Sequence, residues 1–468
     1  MKRLFTIPGV ILLVILLIFI LGTSRVKRVS YLEEDYFLKT AARIDSLKSV
    51  VSIRTDSIQA GFSRISLTPV LGAKEDNYRE GKFMMVPLAG YGDRKGKPAT
   101  GLHDSIFVKA VALKSGEQTI ILVSADILIM PPNVTDSACL LLQRKGIKRD
   151  QLIFSATHTH SSLGGWGPGV VGQLFAGKNN RNIERWISQQ ITKAVTGAIE
   201  DLRPASAGTG SFNARNYTRN RLTGDNGTIN GDFSFIVIQQ DEGKKAVIGS
   251  FPAHATTMGD DDMEISSDYP GYWERKTEAA IGGPALFFAG STGSQSPEGK
   301  GNGFDRPKII GEALADSMFV HLPEIKMSSN PSVAFVSLKP YLPEYHIRLT
   351  TRINLSSFLS RKLMPEPVNA RLQALRIGEL VWFTTPCDFS GEYALQIKNA
   401  MSARGFETAV SSFNGSYTGY IIPGKYFYLD EYESKTMGWF GPTMGDYTMD
   451  ILSRLSDIVT VNQTIMAR

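Results

Sequence analysis

Residues 152–167, LIFSATHTHSSLGGWG, run from a short apolar strand directly into two histidines and a glycine-rich turn. Working outward, the same arrangement recurs. Residues 119–124 lead into Asp126, 246–251 into His254, 286–289 into the loop GSTGSQSP (290–297), and 380–383 into Pro386 and Asp388. Each of these five buried-looking strands ends in reactive side chains or a Gly/Ser loop, the layout by which a rigid sheet presents chemistry from its strand ends. Longer helical patterns lie between them. The clearest is 183–201, where Ile183, Trp186, Ile187, Ile191, Val195 and Ile199 share one face and Pro204 follows the end. Strands alternating with helices from about Ala60 onward give an α+β, or mixed α/β, domain.

Histidine is scarce, with six in the chain, so His158 and His160 stand out. Two residues apart, they share a face if the strand continues, and one can bind a metal while the other orients substrate or water. A structural pair making loop hydrogen bonds fits the same spacing. His254 at another strand end strengthens the metal reading; the acidic run Asp260 to Asp262 after it reads as a solvated loop. A catalytic zinc site takes about three protein ligands and leaves a position for water. Asp388 or Glu392 is available to complete the set.

With 42% hydrophobic and 10% aromatic residues among 468, the chain can bury a large core and is not disordered in bulk. Its net charge of +6 is no nucleic-acid footprint: Lys2, Arg3, Arg25, Lys27 and Arg28 account for five of those charges, with no acid among the first 28 residues. These residues flank 4–22, an uncharged, mostly apolar run long enough to span roughly 30 Å of hydrocarbon as a helix. Residues 1–28 are accordingly expected to be a membrane anchor, or alternatively a signal peptide, with the rest of the chain exported. Leu32, Phe37, Ile44, Leu47 and Val51 recur at near-helical spacing, which predicts an amphipathic stalk over 29–59 before the domain at 60–468. A second, smaller unit can begin near Pro331. Cys139 and Cys387 are too few for a disulfide framework. Nothing in the sequence fixes an oligomeric state.

Seven blocks carry a family resemblance. AGYGDRKGKPATGLHDSIFVKAVAL (from Ala89), FSATHTHSSLGG (from Phe154), FPAHATTM (from Phe251), SSDYPGY (from Ser266), GSTGSQSP (from Gly290), TPCDFSGE and SYTGYI resemble, in order, blocks of the neutral/alkaline non-lysosomal ceramidases. The resemblance implies a ceramidase-like catalytic domain with mixed sheets flanked by helices, here preceded by one transmembrane helix. It implies hydrolysis, on a single Zn2+, of the amide joining a fatty acid to a sphingoid base, with a lipid amide as substrate. It carries zinc ligation onto His158, His254, Asp388 and Tyr420, and places His160 beside the metal, holding substrate and water. Arg221 and Tyr432 fall where the family contacts substrate near the scissile bond, and Ser296 falls on the family serine, as nucleophile or as orienter of water. His160 or Tyr432 is the implied proton donor.

Departures from the pattern bear on substrate more than on metal. Ser294 and Glu298 replace an aspartate and an asparagine around the family serine, HTHSSLGG alters the rim, and Asp388 is one methylene shorter than the family glutamate, which leaves Glu392 as its alternative. Family members carry a further C-terminal immunoglobulin-like domain for which the blocks leave no length here. A divergent member is expected. A zinc hydrolase of another amide or ester, and a binding homologue without catalysis, are the alternatives.

Overall fold

A computed structural model describes residues 21–461. Its centre is an eight-stranded sheet built from β1 (Ile58–Ser66), β2 (Phe107–Ser115), β3 (Gln118–Ala125), β4 (Leu152–Ala156), β5 (Arg203–Asn213), β6 (Asp232–Gln240), β7 (Lys245–Phe251) and β8 (Ala285–Ala289). The spatial order is β8-β7-β6-β5-β1-β2-β3-β4, antiparallel except for the outer pairs β7/β8 and β3/β4. A four-stranded sheet, β9 (Val333–Leu338), β10 (Leu372–Ile377), β11 (Leu380–Thr384) and β12 (Glu407–Ser411), packs on it in sequence order.

Period-two alternation sorts the side chains of each strand. In β6, Ile236 and Ile238 join the layer between the sheets, where they meet residues such as Leu375 and Trp382. Phe233, Phe235 and Val237 face the other way, onto helices α5 (Asp268–Ile281) and α6 (Asp305–His321). Helices α2 (Pro132–Gln143) and α4 (Arg181–Glu200) cover β2 and β3 on that same outer side, α4 closely matching the periodicity over 183–201. Helices α8 (Gly391–Ser402) and α9 (Met444–Thr460) cover the small sheet. The result is a mixed αββα sandwich in which the sheet beginning at Val333 shares its core with the larger one.

The predicted stalk is docked on this body. Its helix α1 (Asp35–Lys48) buries Phe37, Thr40 and Ile44, and the Thr40 hydroxyl lies 2.8 Å from that of Tyr447 on α9. An apolar stripe long enough to pack finds the C-terminal helix, because leaving it in water would forgo its burial. Most of the expected span 4–22 lies outside the described residues. Among the described residues no helix is long and apolar enough to cross a membrane.

The large sheet curls until its two edges meet. Ser124 Oγ of β3 donates to the Phe287 carbonyl of β8 (2.5 Å), and Ser412 binds both edge strands, through Ala289 and Ser155. Across the curl, buried Lys109 of β2 donates to the Ala285 carbonyl and Glu274 (2.8 Å each), with Glu278 at 2.7 Å. Removing one member of such a buried pair leaves the other uncompensated. Lys109→Ala is therefore expected to lower stability by about 3–5 kcal/mol in urea unfolding, and Lys109→Met combined with Glu274→Leu by clearly less.

Candidate metal and hydrolytic site

Closure of the sheet delivers the histidines. After β4, the 157 and 158 amides donate to the carbonyls of Ala125 and Ile127, and His158 then adopts φ +64°, a left-handed backbone that turns its ring into the interior. Such a conformation is unfavourable for a side chain with a Cβ and persists only where surroundings over-determine it. Here Phe413 stacks on the ring at 4.3 Å. One residue on, Thr159 forms a parallel bridge with Ala255, the His160 amide donates to the Ala255 carbonyl, and His254 is thereby drawn alongside.

Each ligand-type histidine has one nitrogen tied down. His158 Nδ1 lies 2.7 Å from the Leu128 carbonyl and His254 Nδ1 2.9 Å from that of Gln295. A carbonyl only accepts, so both Nδ1 atoms carry the proton and both Nε2 atoms present lone pairs. The Nε2 atom of His158 is buried without a hydrogen-bond partner, as are both ring nitrogens of His160. Burial holds His158 down to about 3 and, with neighbouring positive groups, keeps His160 and His254 well below the usual histidine range, so all three stay neutral at pH 7.

The small-sheet side supplies oxygen. Asp388–Phe389 pairs in parallel with Tyr420–Ile421, which makes Asp388 and Tyr420 cross-strand neighbours. Asp388 Oδ1 lies 3.3 Å from His254 Nε2 and 3.5 Å from His158 Nε2, and the Tyr420 hydroxyl 2.9 Å from His254 Nε2. Tetrahedral ligands at about 2.0–2.1 Å from zinc stand about 3.3–3.4 Å apart, so the two histidine nitrogens and the Asp388 oxygen fit that metal's donor types and the Asp388–histidine separations its spacing, with the Tyr420 hydroxyl closer in. His158, His160 and His254 form a wider group, with ligand atoms within 4.8 Å of one another. Asp388 and Tyr420 close on His158 and His254 within this group, and His160 stands beside them. Burial raises the Asp388 carboxyl to about 7, against the pull of hydrogen bonds from Tyr417 (2.8 Å) and Thr292 (3.0 Å).

Arg221 approaches from behind. The ladder of Thr218–Asn220 against Gln295–Pro297 sets its backbone, and its amide donates to the Ser294 carbonyl. Its Nη2 donates to the Tyr420 hydroxyl (2.8 Å), and Glu433 lies 2.6 Å from Nε. Burial opposes its charge, but Tyr420, Glu433 and Asp388 outweigh that and hold it cationic. Glycines let backbone press against the site at two points. A Cβ on Gly90 (φ +123°) would meet His160 side-chain atoms at 2.7 Å, and one on Gly293 the Asp388 carbonyl at 2.4 Å.

His158, His160, Asp388, Tyr420 and Tyr432 line a cavity of about 310 Å³ whose remaining wall is largely apolar, including Leu128, Trp166, Phe175 and Trp439. His254 and Arg221 stand behind that wall, joined to it through Tyr420. Ser296 sits in the Gln295–Pro297 strand, neither on the wall nor in this hydrogen-bonded set. Glu392 is turned away: it accepts from Lys425 (2.5 Å) and Tyr426 (3.0 Å). Ser294, in place of the family aspartate, accepts the Gly391 amide (3.1 Å). Tyr417, Thr292 and Glu433 were not singled out from sequence; the first two lie inside SYTGYI and GSTGSQSP, and Glu433 adjoins Tyr432.

Residues 78–297 match the family model described as neutral/alkaline non-lysosomal ceramidase, N-terminal. The fold is similar to that of a neutral ceramidase from Pseudomonas aeruginosa, with TM-score 0.73 and 19% identity over 87% of this chain and 75% of that one. A ceramidase complexed with C2 is similar to the same degree, with TM-score 0.73 and 18% identity over 87% and 76%.

Metal uptake is expected to release a proton. Burial holds the histidines neutral and raises the Asp388 carboxyl to about 7. Zinc added to metal-free protein should bind at one equivalent, with affinity falling about tenfold per pH unit below 7 and levelling off above. Calorimetry in buffers of different ionisation enthalpy reads both the affinity and the proton.

Proposed function

We propose that this chain, which belongs through residues 78–297 to the neutral/alkaline ceramidase family, is a zinc-dependent amidohydrolase of ceramide or a related N-acyl lipid, tethered through residues 4–22 with its domain exported. The observation that carries the reading is the convergence of His158, His254, Asp388 and Tyr420 at the wall of an apolar cavity. The buried, partnerless lone pair of His158 Nε2 calls for a cation, and an apolar cavity suits an acyl chain.

His158, His254, Asp388 and Tyr420 would hold the zinc ion. When bound, it would bring a water to a pKa of about 7 and polarise the amide carbonyl. The chain's own groups do the rest. His160, neutral and with both ring nitrogens free, accepts a proton from the attacking water as the carbon–oxygen bond forms. Arg221, fixed by Glu433, acts through the Tyr420 hydroxyl it donates to, keeping positive charge beside the oxygen that becomes negative. Tyr432, half-exposed on the cavity wall, donates to the same oxygen. The carbon–nitrogen bond then breaks, and the amine leaves with the proton that His160 received.

Purified protein should release fatty acid from ceramide or another N-acyl lipid. His158→Ala and His254→Ala should each abolish turnover and zinc binding together; full activity after chelation would refute a metal-dependent reaction. Tyr432→Phe should lower kcat by about 10²-fold, the scale of one lost transition-state donor, with KM little changed. An unchanged kcat would remove Tyr432 from the reaction.

A further inference from the structure

One wall of the cavity is formed by α3 (Gly169–Ala176) and residues 364–369. Val171, Gly172 and Phe175 face inward from α3, as do Met364 and Pro367 from the segment. The outer side of the same wall is apolar as well. Val170 is 60% exposed, Leu174 57% and Val368 63%, and on the adjoining helix α7 (Ser357–Leu363) Phe358 is 65% exposed and Leu363 38%. The two helices touch, with Gly169 lying against the Leu363 carbonyl. Five large exposed apolar side chains on two touching helices and the segment that follows them form a patch of the kind that marks an interaction site; scattered singly they would mean nothing.

Charge and chain path say what covers the patch. Thr23–Arg25 pairs with Ile353–Leu355 just before α7, and the Ser356 amide donates to the Gly22 carbonyl (2.8 Å). Gly22, the last residue of the apolar run 4–22, is therefore bound to the body at the start of α7. Arg25, Arg352, Arg361 and Lys362 are exposed along this unit, and neither 21–29 nor 349–363 contains an acid. Glu366, next along the chain, pairs with Arg361 at 3.4 Å. Exposed apolar side chains with long basic ones on the same and the adjoining segments match the boundary between acyl chains and anionic headgroups.

We propose that this face lies on an anionic lipid bilayer, the apolar rim in the headgroup–acyl boundary and the basic groups among the phosphates, so that a lipid enters the cavity without crossing water. The proposal rests on the lipid-amide reading for the identity of the cargo and on the rim itself for the docking. Two measurements on the full chain keep these apart. Leu174→Glu and Phe358→Glu should slow hydrolysis of a long-chain N-acyl lipid in vesicles containing phosphatidylglycerol by about tenfold while leaving a water-soluble short-chain amide within about twofold of wild type. Equal rates for both substrates, or equal losses, would overturn the docking. If the wild-type chain hydrolyses neither, the catalytic reading fails alone, and docking is read spectroscopically. A polarity-sensitive fluorophore on Leu174→Cys should shift to the blue with those vesicles and be quenched by brominated lipid, whereas the same label on Val320→Cys, 70% exposed on α6, should not. A shift that needs only more protein would assign the face to a second copy, and no shift would leave it in water; either result overturns the proposal.

Discussion

One backbone contact organises the site: the pairing of Thr159 with Ala255, made where the curled sheet brings its edges together. Without it, the loop after the edge strand β4 and the loop after β7, one strand in from the other edge, would stay on opposite sides of an eight-stranded sheet. With it, two side chains that do not share an edge come into van der Waals range, and the ring planes of His158 and His254 cross with centroids 4.5 Å apart. The buried lysine network across the same curl, and Ser412 bound to both edges, hold the closure from below. The strained turn at His158 is tolerable because so many contacts agree on it.

The two sheets divide the chemistry. The large one contributes neutral nitrogens, each with its tautomer set by a backbone carbonyl. The small one contributes a carboxylate and a phenol from adjacent strands. Burial discourages charge on both contributions, while Arg221 keeps its charge through Glu433. The pocket is thus poor in mobile charge and rich in imidazole lone pairs, a donor set that suits a borderline divalent metal ion better than a protonated side chain.

Sequence made the strand ends legible, because apolar runs stopping at His158, His254, the 290–297 loop and Asp388 need only local pattern to be seen. It could not reveal the curl, since edge closure depends on contacts between strands far apart in the chain, nor decide between Asp388 and Glu392. Tyr417 and Glu433 escaped because a hydroxyl or carboxylate that serves another side chain leaves no periodic trace. The helix at 35–48 was legible as amphipathic, yet its docking on α9 was not: a stripe declares that it will be covered without saying by what. Glu392 misleads in the same way, as an acid near the motif whose partners, Lys425 and Tyr426, come from a later loop.

Main chain packed against His160 at Gly90, on the cavity wall, and against Asp388 at Gly293, behind it, means that these two pocket residues are backed by peptide rather than by side chains. Exchanging residues there cannot reshape the pocket by degrees, since even a methyl group collides. Variation in what the pocket admits is therefore channelled to its remaining side, where α3 and residues 364–369 meet solvent. The HTHSSLGG run leads through Trp166 and Pro168 into that side, so it joins the histidines to the part of the wall where side chains can be exchanged.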